Sequence, residues 1–184
     1  MTGRTEPGAG GDRRVTIREL GAPGDLGWVV MAHGEVYAAE FGWNPSFEAL
    51  VARIVADYSA DHDPSRQSAW IAEVDGVRRG CVFCVPAAED GTAKLRILLV
   101  DPAARGLGLG DRLVSTCLEF AAAAGYRRIT LWTNDVLVAA RRIYQAHGFR
   151  LVDSAPHRSF GHDLVGQNWV LDLPAARVGA GAAR

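Results

Sequence analysis

The sequence predicts an α/β protein, a central mixed sheet flanked by helices on both faces, and three observations predict it. Segments with apolar residues three and four apart recur between short apolar runs bounded by turn residues. One such run, LRILLV (Leu95 to Val100), is apolar almost throughout its end, as expected of a central strand covered on both sides. Apolar residues make up 48% of 184 residues, with five Trp, six Phe and four Tyr, enough for the core of one domain and little for a second.

The elements follow in order. Val15 to Leu20 reads as a first strand. Asp25 to Phe41 has helical spacing at Leu26, Val29, Val30, Val36, Tyr37 and Phe41, interrupted by Gly27 and Gly34. Pro45 stands near the start of a second helix carrying Phe47, Leu50, Val51, Ile54, Val55 and Tyr58 on one side. Ala69 to Val74 and Gly80 to Val85, joined by Asp75-Gly76, predict a hairpin, and Glu89-Asp90-Gly91 turns into Ala93 to Val100. A helix is expected over Gly108 to Ala124 with Gly125 as its stop, then a strand at Ile129 to Trp132. A helix over Val138 to His147 comes next, then strands at Phe149 to Val152 and Trp169 to Leu173, with SFGHDLVGQNW (Ser159 to Trp169) between them as a polar loop. Trp169 to Leu173 is expected to be exposed, so a second copy of the chain is among the expected partners.

These elements divide the chain into a disordered lead (1–14), a single domain (15–173) and a flexible tail (174–184), the ends being rich in Gly and charge. A net charge of -1 supplies no general attraction to nucleic acid or to an anionic membrane. No apolar stretch reaches 18 residues, and the N-terminus has no secretory apolar segment, so the protein is expected to be cytoplasmic. Three cysteines fit that compartment. Cys81 and Cys84 form a CxxC, but within a strand their side chains point to opposite faces, so buried thiols are expected and no metal.

The most informative segment is LLVDPAARGLGLGDRLV, Leu98 to Val114. A buried strand ends at Val100, Pro102 breaks the ladder, and Arg105, Gly106, Gly108 and Gly110 stand at the mouth of a helix. Glycines there let backbone N–H groups approach an anion, and the helix start favours phosphate. A P-loop would need GxxxxGK[ST], and no Lys-Ser or Lys-Thr follows. A dinucleotide fold would need GxGxxG and an acid on the next strand, but the spacing is GLGLG and Ile129 to Thr133 carries none. A coenzyme A pyrophosphate loop needs only the turn, the helix start and a basic residue.

VDPAARGLGLGDRL resembles the signature of the GCN5-related N-acetyltransferases (GNAT), Arg/Gln-x-x-Gly-x-Gly/Ala, with Arg105, Gly108 and Gly110 at its fixed positions. AARRIYQAHGFR is similar to that family's second signature, through Ala140, Tyr144, Gly148 and Phe149. The resemblance implies the GNAT acyl-CoA N-acyltransferase fold, acetyl-CoA as cofactor and an amine as acceptor, whether a small molecule or a peptide or protein amine. It implies that Leu98, Leu99 and Val100 hold the pantetheine arm, and that Arg105, Gly106, Leu107, Gly108, Leu109, Gly110 and Asp111 wrap the pyrophosphate. Ala140 would touch the cofactor, and Tyr144 would sit at the thioester sulfur and protonate the departing thiolate. Leu137 stands where the family often has Asn, and Asn134 lies upstream to serve the cofactor or cap a helix. HGEVYAAEFGWN and FGHDLVGQNW also resemble the acetyltransferase half of bacterial MarR-type regulator fusions.

The base is less evident. Some members carry Glu on the strand matching Ala93 to Val100, but this one has Lys94 and Arg96, which share a face. They either hold an acidic group of the acceptor or lie in solvent near Glu89 and Asp90. Acceptor-side candidates are His33, Tyr37 and Glu40 on the first helix, then His157, His162 and Asp163 near the last loop. The alternative function is a non-catalytic acyl-CoA sensor, which would need the glycine loop but not Tyr144.

Overall fold

A computed structural model describes residues 13–60 and 63–174, so the expected lead and tail lie almost wholly outside the described residues. Seven strands form one sheet, β1 (Val15–Glu19), β2 (Ser68–Val74), β3 (Val77–Pro86), β4 (Thr92–Val100), β5 (Arg128–Asn134), β6 (Arg150–Ser159) and β7 (His162–Asp172). Their order is β1-β2-β3-β4-β5-β7-β6, antiparallel except for the β4–β5 pair. Helices α1 (Asp25–Phe41) and α2 (Pro45–Ala60) cover one face, and α3 (Leu109–Ala123) and α4 (Val138–Ala146) the other. The expected mixed sheet with helices on both sides is the observed architecture.

The sheet separates two apolar cores. Val29, Val51, Val55, Ile71, Cys81 and Phe83 pack under α1 and α2, whereas Val82, Cys84, Leu113, Val114 and Cys117 pack under α3. Cys81 and Cys84 therefore do fall on opposite faces, and all three cysteines are free and buried. Burial raises the Cys81 thiol well above its usual range, and proximity to Cys84 together with burial does the same for Cys117.

The C-terminal end differs from expectation. Ser159 to Trp169 is not a loop; β6 and β7 run through it as a long hairpin turning on Phe160-Gly161, with φ of 57° and 88°. Two positive φ values in a two-residue turn match the right-handed twist of the flanking strands. Phe160 tolerates that conformation because its ring is packed against Trp43 and Phe47, at centroid distances of 4.7 and 5.0 Å. The second correction concerns the edge. β7 lies between β5 and β6 with Trp169 buried, and the exposed edge is β6, blunted by charge and by Pro156.

The feature that positions the site is a parting of β4 from β5. The two pair only from Thr92↔Arg128 to Leu95↔Leu131, although β4 continues to Val100 and β5 to Asn134. On its other side, β4 carries a bulge: Phe83 faces Arg96 and Cys81 faces Leu99, so three steps along β4 match two along β3. Ile97 sits in this bulge at φ 45°, a left-handed conformation that strains a β-branched residue by about 1–3 kcal/mol. The bulge turns β4 away from β5 and opens the sheet.

Candidate active site

Two adjoining cavities fill the opening. The first, about 290 Å³, is bounded by His33 and Tyr37 of α1, Trp43 and Phe47 around the start of α2, and residues 94–98 of β4. Trp132 to Asn134, Leu137, Ala140 and Tyr144 complete it. Its walls come from both faces of the sheet, which is possible only because the strands have parted. The second, about 280 Å³, runs along Leu98, Leu99 and Val100 past Glu40, Arg105, Ala140 and Ile143. Tyr37, Leu98, Leu137 and Ala140 line both cavities.

The glycine loop stands at the mouth of the second cavity. Asp101 anchors its start, accepting from the N–H of Ala103 at 2.8 Å and from Arg79 at 2.7 Å. Gly106 and Gly108 have φ of 81° and 69°, and a Cβ on either would meet nothing within 4 Å. Gly108 is the N-cap of α3 and provides no side-chain cap, so the first-turn N–H groups lack the usual internal acceptor. Arg105 is here too, bound to Glu40 at 2.6 Å. An uncapped helix start, two unobstructed glycines and a cation suit a diphosphate, while the free edge of β4 suits an amide-bearing chain.

Four residues of the loop have other duties. Gly110 is buried, and a Cβ on it would lie 2.6 Å from Ile143 Cδ1, so it allows α3 and α4 to approach. Leu107 and Leu109 pack into the core under α3. Asp111 is exposed and accepts from His147 Nε2 at 2.8 Å, a second link between the two helices.

Tyr144 is buried at the cavity wall, its ring against Phe149 at 5.8 Å. Burial raises its phenol far above the ordinary range, and the nearby Tyr37 and Cys117 add to this, so the hydroxyl keeps its proton at neutral pH. Asn134 is fully buried at the end of β5, and its Oδ1 accepts from His157 Nε2 at 2.8 Å. Its side chain does not cap α4, whose N-cap is Leu137. His157 in turn is held by Ser159 at 3.0 Å.

The acceptor-side candidates divide. His33, Tyr37, Lys94 and Arg96 converge on the first cavity. His33 donates from Nδ1 to the Val29 carbonyl at 2.7 Å, leaving Nε2 buried without a partner. Burial lowers its pKa to about 4, against the opposing pull of the Val29 and Ile97 carbonyls, so the ring is neutral. Glu40 belongs to the second cavity with Arg105. His162 lies outside the cavities: its Nε2 donates to the Gly42 carbonyl at 3.0 Å, tying the hairpin tip to the end of α1. Asp163 is exposed and paired with Arg158 at 2.9 Å. The aromatic wall was absent from the sequence reading, although Trp43 and Phe47 flank a visible helix start. There Asn44 caps α2 by accepting from the N–H of Ser46 at 3.1 Å.

Comparison with known proteins agrees with this geometry. Residues 30–149, which include most of α1, the whole glycine loop, Tyr144 and Phe149, match the model of the acetyltransferase (GNAT) family. The chain belongs to the GNAT acetyltransferase family. It is similar to human N-acetylaspartate synthetase, 36% identical over 88 residues, which is 48% of this chain and 29% of that protein. The chain thus spans under a third of that relative. An uncharacterized N-acetyltransferase of Schizosaccharomyces pombe is 29% identical over 144 residues, covering 78% of this chain and 87% of that one. Among solved structures, a putative acetyltransferase of Salmonella typhimurium with acetyl-CoA superposes with a TM-score of 0.70 at 19% identity, over 92% of this chain and 99% of that one. An N-acetyltransferase of Staphylococcus aureus gives 0.72 at 18% identity, over 88% and 99%. Both structures share the fold described here. No helix among the described residues is long and apolar enough to cross a membrane.

Proposed function

We propose that this GNAT protein transfers the acetyl group of acetyl-CoA to the amine of a small molecule, with residues 15–173 acting as one domain. The observation that carries the reading is the parting of β4 from β5 beyond Leu95 and Leu131, with the glycine loop at one end and Tyr144 beside the gap. Arg105 and the N–H groups of the loop from Gly106 to Asp111 bind the diphosphate. Leu98, Leu99 and Val100 present the free edge of β4 to the pantetheine amides, against Ala140. When bound, the cofactor supplies a thioester whose carbonyl takes the amine lone pair as the thiolate departs.

This chain's side chains then manage protons. Tyr144, protonated at neutral pH, donates from its hydroxyl to the leaving sulfur, and the proton that the amine nitrogen loses passes through water to restore the phenol. Backbone N–H groups at Leu99 and Val100 polarise the carbonyl. His157 orients Asn134, which faces the same cavity. On the acceptor side, His33 and Tyr37 form the wall beside the incoming amine. The human relative's name concerns aspartate, which places an amino acid among the acceptors to try. Three free, buried cysteines support a cytoplasmic location. The two segments that carry the likeness to regulator-linked acetyltransferases, HGEVYAAEFGWN and FGHDLVGQNW, touch through Gly42 with His162 and Asn44 with Phe160.

The test is thiol release from acetyl-CoA against a panel of amines, with calorimetric titration of acetyl-CoA alongside. Tyr144→Phe should keep its affinity for acetyl-CoA and lose roughly 10²–10⁴-fold in kcat. Equal turnover by Tyr144→Phe would remove the acid from Tyr144. Micromolar binding without release for any amine would favour an acyl-CoA sensor, and no binding at all would end the assignment.

A further inference from the structure

Lys94 and Arg96 are both half-buried in the wall of the first cavity, and neither makes an ion pair or a side-chain hydrogen bond among the described residues. Glu89, the acid near them in sequence, is engaged elsewhere, with Arg128 at 3.3 Å. Among the described residues no Asp or Glu lines the cavity, and His33, the one other basic side chain there, is held neutral. Arg96 feels the charge of Asp57 on α2 without pairing with it. Burial lowers the pKa of both cations, and the Arg96 charge lowers that of Lys94 further. Two cations half withdrawn from water on one strand face, with aromatic walls around them, are an unfavourable arrangement for the protein alone.

Such a pair becomes favourable when an anion arrives. A guanidinium grips a carboxylate through two N–H groups in one plane, and an ammonium adds a mobile point charge. We propose that Lys94 and Arg96 form an anion subsite, and that the acceptor is a small amino acid with an acidic side chain. Two carboxylates match the two cations, and the amine is the group left to face the thioester. Trp43, Phe47 and Trp132 limit the size of what enters. This inference rests on the acetyl-transfer reading for the role of the bound molecule, though not for its binding.

The experiment therefore measures binding apart from turnover. Acidic amino acids, their side-chain amides and a cationic diamine are titrated calorimetrically into the protein saturated with CoA. The same compounds are then compared as acceptors by thiol release. The acidic amino acids should bind at least tenfold more tightly than the other two, and should have the highest kcat/KM. Arg96→Leu and Lys94→Met should each weaken acidic-acceptor binding at least tenfold while leaving the acetyl-CoA Kd unchanged, which also checks that they fold. Arg96→Glu should move the preference toward the diamine. Absence of heat from the acidic amino acids overturns the subsite, whatever other amine is acetylated. Tight, Arg96-dependent binding without thiol release upholds the subsite and removes acetyl transfer instead.

Discussion

Arg105 and Glu40 meet at 2.6 Å across the mouth of the second cavity, joining the glycine loop to the last turn of α1. Arg105 is about half exposed, so the pair adds little to stability and can be exchanged for a better one. A diphosphate arriving at the loop would compete with Glu40 for the same guanidinium. Glu40→Gln should therefore tighten acetyl-CoA binding, by about two- to fivefold. Arg105→Ala should weaken it about tenfold. Calorimetry on both variants measures this, and unchanged affinity in both would detach Arg105 from the cofactor.

A buried neutral histidine leaves a signature in acid. His33 has a pKa of about 4 in the folded protein against 6.5 ordinarily, so between those values the unfolded chain holds a proton that the folded one lacks. The stability due to keeping His33 neutral is whole above pH 6.5 and disappears as pH falls from 6.5 to 4, on the order of 3 kcal/mol in all. Urea unfolding at pH 7 and pH 5 should show a clear loss, smaller in His33→Gln. Parallel curves for the two proteins would contradict a neutral, buried ring.

Asp25 is an acid-sensitive anchor away from the cavities. It is fully buried at the start of α1, holding Arg18 at 2.8 Å, Arg78 at 2.7 Å and the N–H groups of Gly21 and Ala22 at 2.9 and 2.8 Å. Arg18 foremost, with these other donors, keeps its carboxyl well below the usual carboxylate range despite burial. Its contribution is present above the ordinary value of 3.8 and fades as pH drops below it. Asp25→Ala should cost on the order of 3 kcal/mol in unfolding free energy. Its acetyl-CoA affinity should match that of the parent protein at low temperature.

The contact between Gly110 and Ile143 can be tested by exchange of volume. Gly110→Ala puts a methyl 2.6 Å from Ile143 Cδ1, and a net loss of about 1 kcal/mol is expected because that methyl can yield only in part. Ile143→Val removes the opposing methyl, so the double variant should regain most of the loss. Thermal unfolding of the two singles and the double closes the cycle.

The elements from Val15 to Ala146 were legible because their apolar spacing is strong and their breaks carry Gly, Pro or Asp. The final hairpin was not, for a physical reason. β6 is exposed along nearly its whole length, so Val152 to Ser159 shows no inward-facing alternation, and its turn places a phenylalanine where Asn or Asp is usual. His162 was therefore proposed as a base when it is a brace on Gly42. The glycine loop could be read from Arg105 and its glycines, since its form depends on local backbone. The aromatic wall could not, because Trp43, Phe47 and Phe160 meet only through tertiary packing. That Lys94 and Arg96 share a face was visible; that the face turns inward follows from their register opposite Val85 and Phe83, on the side of α1 and α2.

The link between the turn at Phe160 and the segment Gly42 to Phe47 bears on the timing of activity during synthesis. The N–H of Asn44 donates to the Phe160 carbonyl at 3.1 Å, and Phe160 supplies the ring that backs Trp43 and Phe47. A chain emerging from the ribosome has the glycine loop, α3 and Tyr144 well before it has that ring. The glycine loop, α3 and Tyr144 are thus all synthesised before the ring that closes the aromatic wall. A polypeptide nicked before Phe160 would leave Trp43 and Phe47 without that backing and β5 without the strand it pairs with.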